Sequence, residues 1–296
     1  MIFTRLTGGI GNQMFQYAAG RSLAARLGTD LKLDARWFQG VGSGIPGSAR
    51  RYELGCFRVD AELVPATRVA RLPPRSRREY WFRRVFPRRS LPFLIPLIEK
   101  DGPSADLRFF QALDNTYLDG FWHSERYFEE HADVVRRNLA FSTPPTGRNV
   151  ELAAKIQDCV SVSVHVRRGD YVVPGETRDV AGVLDENWYR RAVDLVAERV
   201  GEVAVYVFSD EPEWCRENLR FDHPATVVTG NGGEASFEDL RLMSTCRHHV
   251  IANSTFSWWG AWLNAHPDKI VVAPEPWRMD RAAQDVYPRG SIRLPR

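Results

Sequence analysis

The clearest periodicity in the chain lies at 160–166, where Val160, Val162, Val164 and Val166 alternate with Ser161, Ser163 and His165. A period of two puts the valines on one face of a strand and the polar residues on the other. Apolar runs at 203–209, 225–228, 248–252 and 269–273 read as further strands. Helical patterns fall between them at 185–200, 211–219, 235–246 and 255–265. Val-rich strands alternating with helices predict a parallel sheet covered on both faces.

The first part of the chain opens the same way. MIFTRL (1–6) reads as a strand, TGGIG (7–11) as a glycine turn, and 12–28 as a helix closed by Gly28. LKLD (31–34) alternates like a strand. From about 40 to 110 the chain is irregular and rich in Pro, Gly and Arg, with LPFLIPLI (91–98) as its longest apolar run. TYLDGFW (116–122) predicts a strand, and 124–139 a helix capped by Ser124. FSTPPTGRN (141–149) breaks both periodicities and reads as a linker. The expected class is therefore α/β, with two Rossmann-like domains at 1–145 and 150–296. In open parallel sheets ligands bind beyond the carboxyl ends of the strands. The chemistry is expected in those loops, in a cleft between the halves.

Composition narrows this picture modestly. With 296 residues and 44% apolar content, the chain can bury a core without disulfides or a structural metal. Cys56, Cys159, Cys215 and Cys246 form no C-x-x-C pair and read as reduced thiols. No secretory leader or membrane-spanning run is apparent, so a cytoplasmic protein is expected. A net charge of +3 is too small to indicate nucleic acid, and no nucleic-acid partner is expected. The charge is concentrated, however. Residues 68–89 hold nine Arg and one acid, Glu79, interleaved with Trp81, Phe82 and Phe86. Such a segment is either a solvated Arg-rich excursion or, through 68–98, a peripheral contact with the anionic inner membrane face.

Five stretches carry chemistry. In HVRRGDY (165–171), His165 and Arg167 leave the strand on the same side, followed by Arg168, a glycine turn and Asp170. Two guanidinium groups at a strand exit suit a diphosphate, whose oxygens accept their paired N–H donors. A surface turn with Arg168 paired to Asp170 is the plainer alternative. Asn253, Ser254 and Thr255 open the helix that continues through Phe256. The N–H groups at such a helix start attract phosphate, or the residues simply cap a core helix. Asp239 lies in the first turn of its helix, where it complements the helix dipole or accepts from a purine amino group. Ser209 and Asp210 follow a strand, lining the cleft or capping the next helix. GGIGNQ (8–13) resembles a dinucleotide fingerprint without its third glycine, and only Asp34 is placed to hold a ribose.

Taken together, GGIGNQMFQYAAG (8–20), GFWHSERYF (120–128), HVRRGDY (165–171), FSDEPEW (208–214) and FEDLRLMSTCRHHVIANSTFSWWGAWL (237–263) resemble the inverting α-1,2-fucosyltransferases of glycosyltransferase family 11. The resemblance implies a GT-B fold, with 1–145 on the acceptor side and 150–296 binding the GDP-sugar. It implies transfer of L-fucose from GDP-β-L-fucose to the 2-hydroxyl of a galactose-terminated glycan. By the same resemblance, Arg167 holds the β-phosphate with Arg168 close by, and His165 approaches the fucose or diphosphate. Asn253, Ser254, Thr255 and Phe256 contact phosphates and nucleoside, and Asp239 accepts from guanine. Gly9, Gly11, Asn12 and Gln13 face the donor. Asp170 is the first choice for the base that deprotonates the acceptor, and Glu176 the second. No Asp-x-Asp motif occurs in the sequence, so arginines and a helix N-terminus are expected to stabilise the leaving group without a metal or other cofactor. The competing functions are a related fucosyltransferase of different linkage or acceptor, a GDP-mannose user, and a nonenzymatic glycan- or nucleotide-binding protein.

Overall fold

The computed structural model describes residues 1–39, 50–64, 94–172 and 175–296, without the side chains of Gln39, Asp170 and 176–178. The Arg-rich stretch 68–89 therefore lies outside the described residues. The chain divides into two compact units.

The first unit comprises Met1–Asp101 and Ala105–Ala140. Its strands are β1 (Ile2–Arg5), β2 (Leu31–Asp34), β3 (Glu62–Leu63), β4 (Ile95–Ile98) and β5 (Thr116–Asp119). They form a parallel sheet in the order β3-β2-β1-β5-β4. Helix α1 (Ile10–Arg26) follows β1 and buries residues around its whole circumference. Gly20 lets α1 lie against the sheet, because a Cβ there would overlap the Thr4 hydroxyl and Leu31. The close helix–strand packing absent from the glycine turn is thus supplied further along the helix.

Two expectations need correction here. Within the stretch from about 40 to 110 that reads as irregular, residues 95–98 form β4, which pairs in register with β5. Its Pro96 is tolerated because β4 is an edge strand. The helix expected over 124–139 is instead two 3-10 turns, Glu125–Tyr127 and Glu129–His131, and a short helix α2 (Ala132–Asn138). Ser124 does cap, but it caps the first 3-10 turn by accepting from Arg126 N. Tyr127 and Phe128 are drawn into the core, and Phe128 takes φ −140°, outside the helical range.

The second unit comprises Gly102–Ser104 and Phe141–Arg296. Its helices are α3 (Arg148–Gln157), α4 (Gly169–Val172), α5 (Glu176–Ala181), α6 (Glu186–Val200), α7 (Pro212–Asn218), α8 (Ser236–Thr245) and α9 (Thr255–Leu263). Its strands are β6 (Ser161–Val166), β7 (Ala204–Ser209), β8 (Ala225–Val227), β9 (His248–Val250), β10 (Val271–Glu275) and β11 (Ile292–Pro295). All are parallel, in the order β11-β10-β9-β6-β7-β8. The expected valine face is present: Val162, Val164 and Val166 pack with Trp188, Tyr189 and Val193 of α6. The opposite face of the sheet carries Tyr206 and Phe208 against Leu242 and Met243 of α8.

The change of unit falls at Ala140/Phe141, ahead of the Pro-rich stretch. Phe141 belongs with the second unit because the Arg241 guanidinium lies 4.3 Å from its ring centre and donates to Thr143 O at 2.6 Å. Among the described residues no helix is long and apolar enough to cross a membrane.

Candidate functional site

In the second unit β6 lies between β9 and β7, so three neighbouring strands deliver their exits to one edge of the sheet. The β6 exit is Arg167-Arg168-Gly169, the β7 exit is Asp210-Glu211, and the β9 exit leads through Asn253 and Ser254 into α9. This adjacency brings distant sequence motifs together.

The two arginines take different partners. Arg167 Nη1 pairs with Asp210 Oδ2 at 2.8 Å, both side chains remaining about a quarter exposed. Its guanidinium lies 5.7 Å from the Tyr171 ring centre. Arg168 instead turns into its own scaffold. Its Nε donates to Glu211 Oε2 at 3.0 Å, and its guanidinium stacks 3.7 Å from the Trp214 ring centre. The Arg168 N–H donates to Asp210 Oδ1 at 3.0 Å. Asp210 therefore bridges a backbone N–H and the Arg167 side chain. A Cβ at Gly169 would lie 2.5 Å from Asp210 Oδ2, so the glycine permits this approach. The sequence left Asp210 open between lining and capping and did not single out Glu211. Their motif FSDEPEW was visible, but their partners follow only from the β6–β7 adjacency. Arg168 has Glu211 as a partner, and the suggested Arg168–Asp170 pair involves a side chain outside the described ones. Arg168 thereby braces the loop through Glu211 and Trp214.

His165 is 5% exposed and packs 5.5 Å from the Phe256 ring. Burial, reinforced by the Arg167 charge, pushes its pKa down to about 3. It is a neutral imidazole near neutral pH, and its Nδ1 has no hydrogen-bond partner among the described residues. A neutral ring offers hydrogen bonding and packing and no positive charge.

His248 and His249 also lie in this unit. Burial is the leading cause that lowers both, His248 to about 4 and His249 well below its ordinary value. His249 Nδ1 meets Ser163 Oγ at 2.8 Å, and its Nε2 meets Asn264 Nδ2 at 2.8 Å. Above the ordinary histidine pKa, about 6.5, neither folded nor unfolded chain is protonated and the full stability is present. Below it, the unfolded chain takes up protons that the folded chain refuses. We expect stability to fall by about 1.4 kcal/mol per histidine for each pH unit between roughly 6.5 and 4. Urea unfolding followed by tryptophan fluorescence checks this; a midpoint constant from pH 7 to 4.5 would contradict it.

The β9 exit is tied to the β6 exit by Tyr171 Oη, which donates to Asn253 O at 3.1 Å. Asn253 is buried, and its Nδ2 donates to Ala181 O at 2.8 Å and Trp277 O at 3.2 Å. That side chain is a strut beneath the loop. Ser254 caps α9 by accepting from Phe256 N at 3.3 Å, and Thr255 and Phe256 are partly exposed on its first turn. Asp170 lies on α4 and Glu176 begins α5. On a fourth exit, Asn231 Nδ2 donates to Asp239 Oδ1 at 2.7 Å. Burial pushes the Asp239 carboxyl up to about 6 against the opposing Asn231 bond and Arg148 charge.

In the first unit, Gly9 sits at the start of α1 without a side-chain cap, and Asn12 Oδ1 meets His123 Nε2 at 3.1 Å. Gly11 and Gln13 are buried on α1. Gln13 Nε2 donates to Gly8 O at 3.0 Å and Arg51 O at 2.8 Å, and its Oε1 accepts from Glu53 N at 2.9 Å. Its amide braces the glycine turn. Asp34 is likewise consumed: Arg36 Nη2 donates to it at 2.7 Å and the Tyr117 hydroxyl at 2.7 Å. It is not open to a ribose. Among the described residues no three His, Cys, Asp or Glu side chains gather as a metal site.

The second unit thus sets an arginine, a helix start and a half-buried carboxylate on one edge of a parallel sheet. Residues 100–290 match glycosyl transferase family 11, and the chain belongs to that family. It is 34% identical to the alpha-1,2-colitosyltransferase of Escherichia coli, with 99% of each chain covered. It is 30% identical to the galactoside alpha-(1,2)-fucosyltransferase 1 of Lagothrix lagotricha, covering 62% of this chain and 55% of that one. Among solved structures, a mutant of Arabidopsis thaliana FUT1 in complex with GDP aligns with a TM-score of 0.52 at 13% identity, covering 97% of this chain and 74% of that one. That likeness concerns the fold alone, and it agrees with the expected α/β, GT-B class.

Proposed function

We propose that the protein is an inverting, metal-independent α-1,2-fucosyltransferase that moves L-fucose from GDP-β-L-fucose to the 2-hydroxyl of a galactoside. The observation that carries this is Arg167, held by Asp210 at 2.8 Å on the same sheet edge as the start of α9. A cation and the positive end of a helix on one edge suit a departing diphosphate. In the reaction, the acceptor oxygen forms its bond to the anomeric carbon as the bond to the β-phosphate oxygen breaks. The base, Asp170 first and Glu176 second, takes the hydroxyl proton. The donor is a substrate, and no cofactor is needed.

A second reading has the full-length likeness to an alpha-1,2-colitosyltransferase in its favour. The two are separated by GDP release measured with GDP-fucose, GDP-colitose and GDP-mannose, each with and without β-galactosides. We expect release only with acceptor, fastest with GDP-fucose, and unchanged in excess EDTA. Faster turnover of GDP-colitose moves the donor assignment. Loss of activity in EDTA removes metal independence, and acceptor-independent binding without release leaves only a binding protein.

A further inference from the structure

Beyond β8 the chain turns at Gly230, which has φ +87°, and reaches Asn231. Asn231 and Asn149, the second residue of α3, are both buried and face each other. Asn149 Nδ2 donates to Asn231 Oδ1 at 3.0 Å, and Asn231 Nδ2 donates to Asn149 Oδ1 at 3.2 Å. An amide offers donors on one side and an acceptor on the other, so this exchange fixes the orientation of both groups. It leaves the Asn231 amino group directed at Asp239 Oδ1, at 2.7 Å. Asp239 Oδ2 accepts no hydrogen bond among the described residues. The Arg148 guanidinium lies against Gly230, where a Cβ would stand 2.6 Å from Nη2.

We propose that Asn231, held in orientation by Asn149, is the positioning residue for base selection, occupying Asp239 Oδ1 so that the rest of the carboxylate faces the N1–H and 2-amino N–H of guanine. This deepens, and rests on, the reading that Asp239 takes the base of a GDP-sugar. Guanine presents two adjacent donors on that edge, and a carboxylate presents two acceptors only while ionised. A protonated Asp239 would set an O–H against an N–H. Three polar or charged neighbours bear on its ionisation: the Asn231 donor on the β8 loop, Arg148 on α3, and Glu238 beside it on α8. Glu238 is itself paired with Arg241 at 2.9 Å. Against burial, the Asn231 hydrogen bond is the first of the interactions that hold the carboxyl down.

The test is the ratio of GDP to IDP affinities measured by calorimetry from pH 8 to pH 5. IDP lacks only the 2-amino group, so effects on diphosphate and ribose cancel in the ratio. For the unmodified protein we expect a ratio of ~10 or more at pH 8, in line with a hydrogen bond to a charged group. It falls as the pH passes through the region near 6 where Asp239 takes a proton. Asn231→Asp keeps the shape but replaces the donor with a second carboxylate. Its ratio begins to fall at least one pH unit higher, whereas Asn231→Ser, which retains a donor, shifts less. Asp239→Asn brings the ratio towards one at every pH. If Asp239→Asn does this while both Asn231 variants titrate like the parent, Asn231 has no positioning role and the guanine reading stands. If Asp239→Asn leaves the ratio unchanged, the guanine reading fails and this inference with it. A parent ratio that is flat over the whole range overturns the inference even if no variant folds.

Discussion

Arg167→Ala lowers kcat by ~10³-fold, the scale observed when a group that stabilises developing negative charge is removed. The reasoning is electrostatic. As the sugar–oxygen bond breaks, charge accumulates on the diphosphate, and the fixed guanidinium stabilises it more in the transition state than in the bound donor. Asp210 keeps Arg167 in place from one side, while the Arg168 N–H keeps Asp210 in place from the other. Arg167→Lys retains charge but loses the planar fork, so its loss is intermediate. Asp210→Asn, which removes the ion pair and leaves a similar shape, lowers kcat in the same direction by a smaller factor. Steady-state kinetics with GDP-fucose and a galactoside measures all three. Near-normal turnover in Arg167→Ala would remove the diphosphate assignment.

The second large effect concerns the proton. Asp170→Asn lowers kcat by ~10²-fold or more and leaves the donor KM within a few-fold, because a general base acts in the transition state and not in donor binding. Glu176→Gln has a weaker effect. If Asp170→Asn instead raises the donor KM alone, Asp170 has a positional role and Glu176 becomes the leading base. The pH profile gives an independent reading. The limb that reports the base in kcat disappears in the variant that has lost it.

Much of the second unit was legible in the sequence because its signals are local. The alternation of valine with serine from 160 to 166 specifies both a strand and its core face, and the structure packs that face on Trp188 and Tyr189. What was not legible depends on topology. Arg167 meets Asp210 because β7 pairs beside β6, a fact no local spacing contains. The same adjacency gives Arg168 the partners Glu211 and Trp214, so the two neighbouring arginines of HVRRGDY take different partners. Edge elements were hidden for another reason. β4 and β11 are short, each contains a proline, and most of β4 is exposed, so neither shows the periodicity of a buried strand. The glycine turn was recognisable, but the use of Gln13 inside it was not. Of its three backbone partners only Gly8 O lies in the turn, while Arg51 O and Glu53 N come from a segment distant in sequence.

The product itself gives the most direct test of the central claim. GDP-β-L-fucose is incubated with the protein, a β-galactoside and excess EDTA, and the product is analysed by NMR. The predicted result is a single new α-L-fucosyl residue joined to the galactose C2 oxygen, the anomeric configuration inverted relative to the donor. A β-linked product, attachment at another hydroxyl, or no transfer without a metal ion would contradict it.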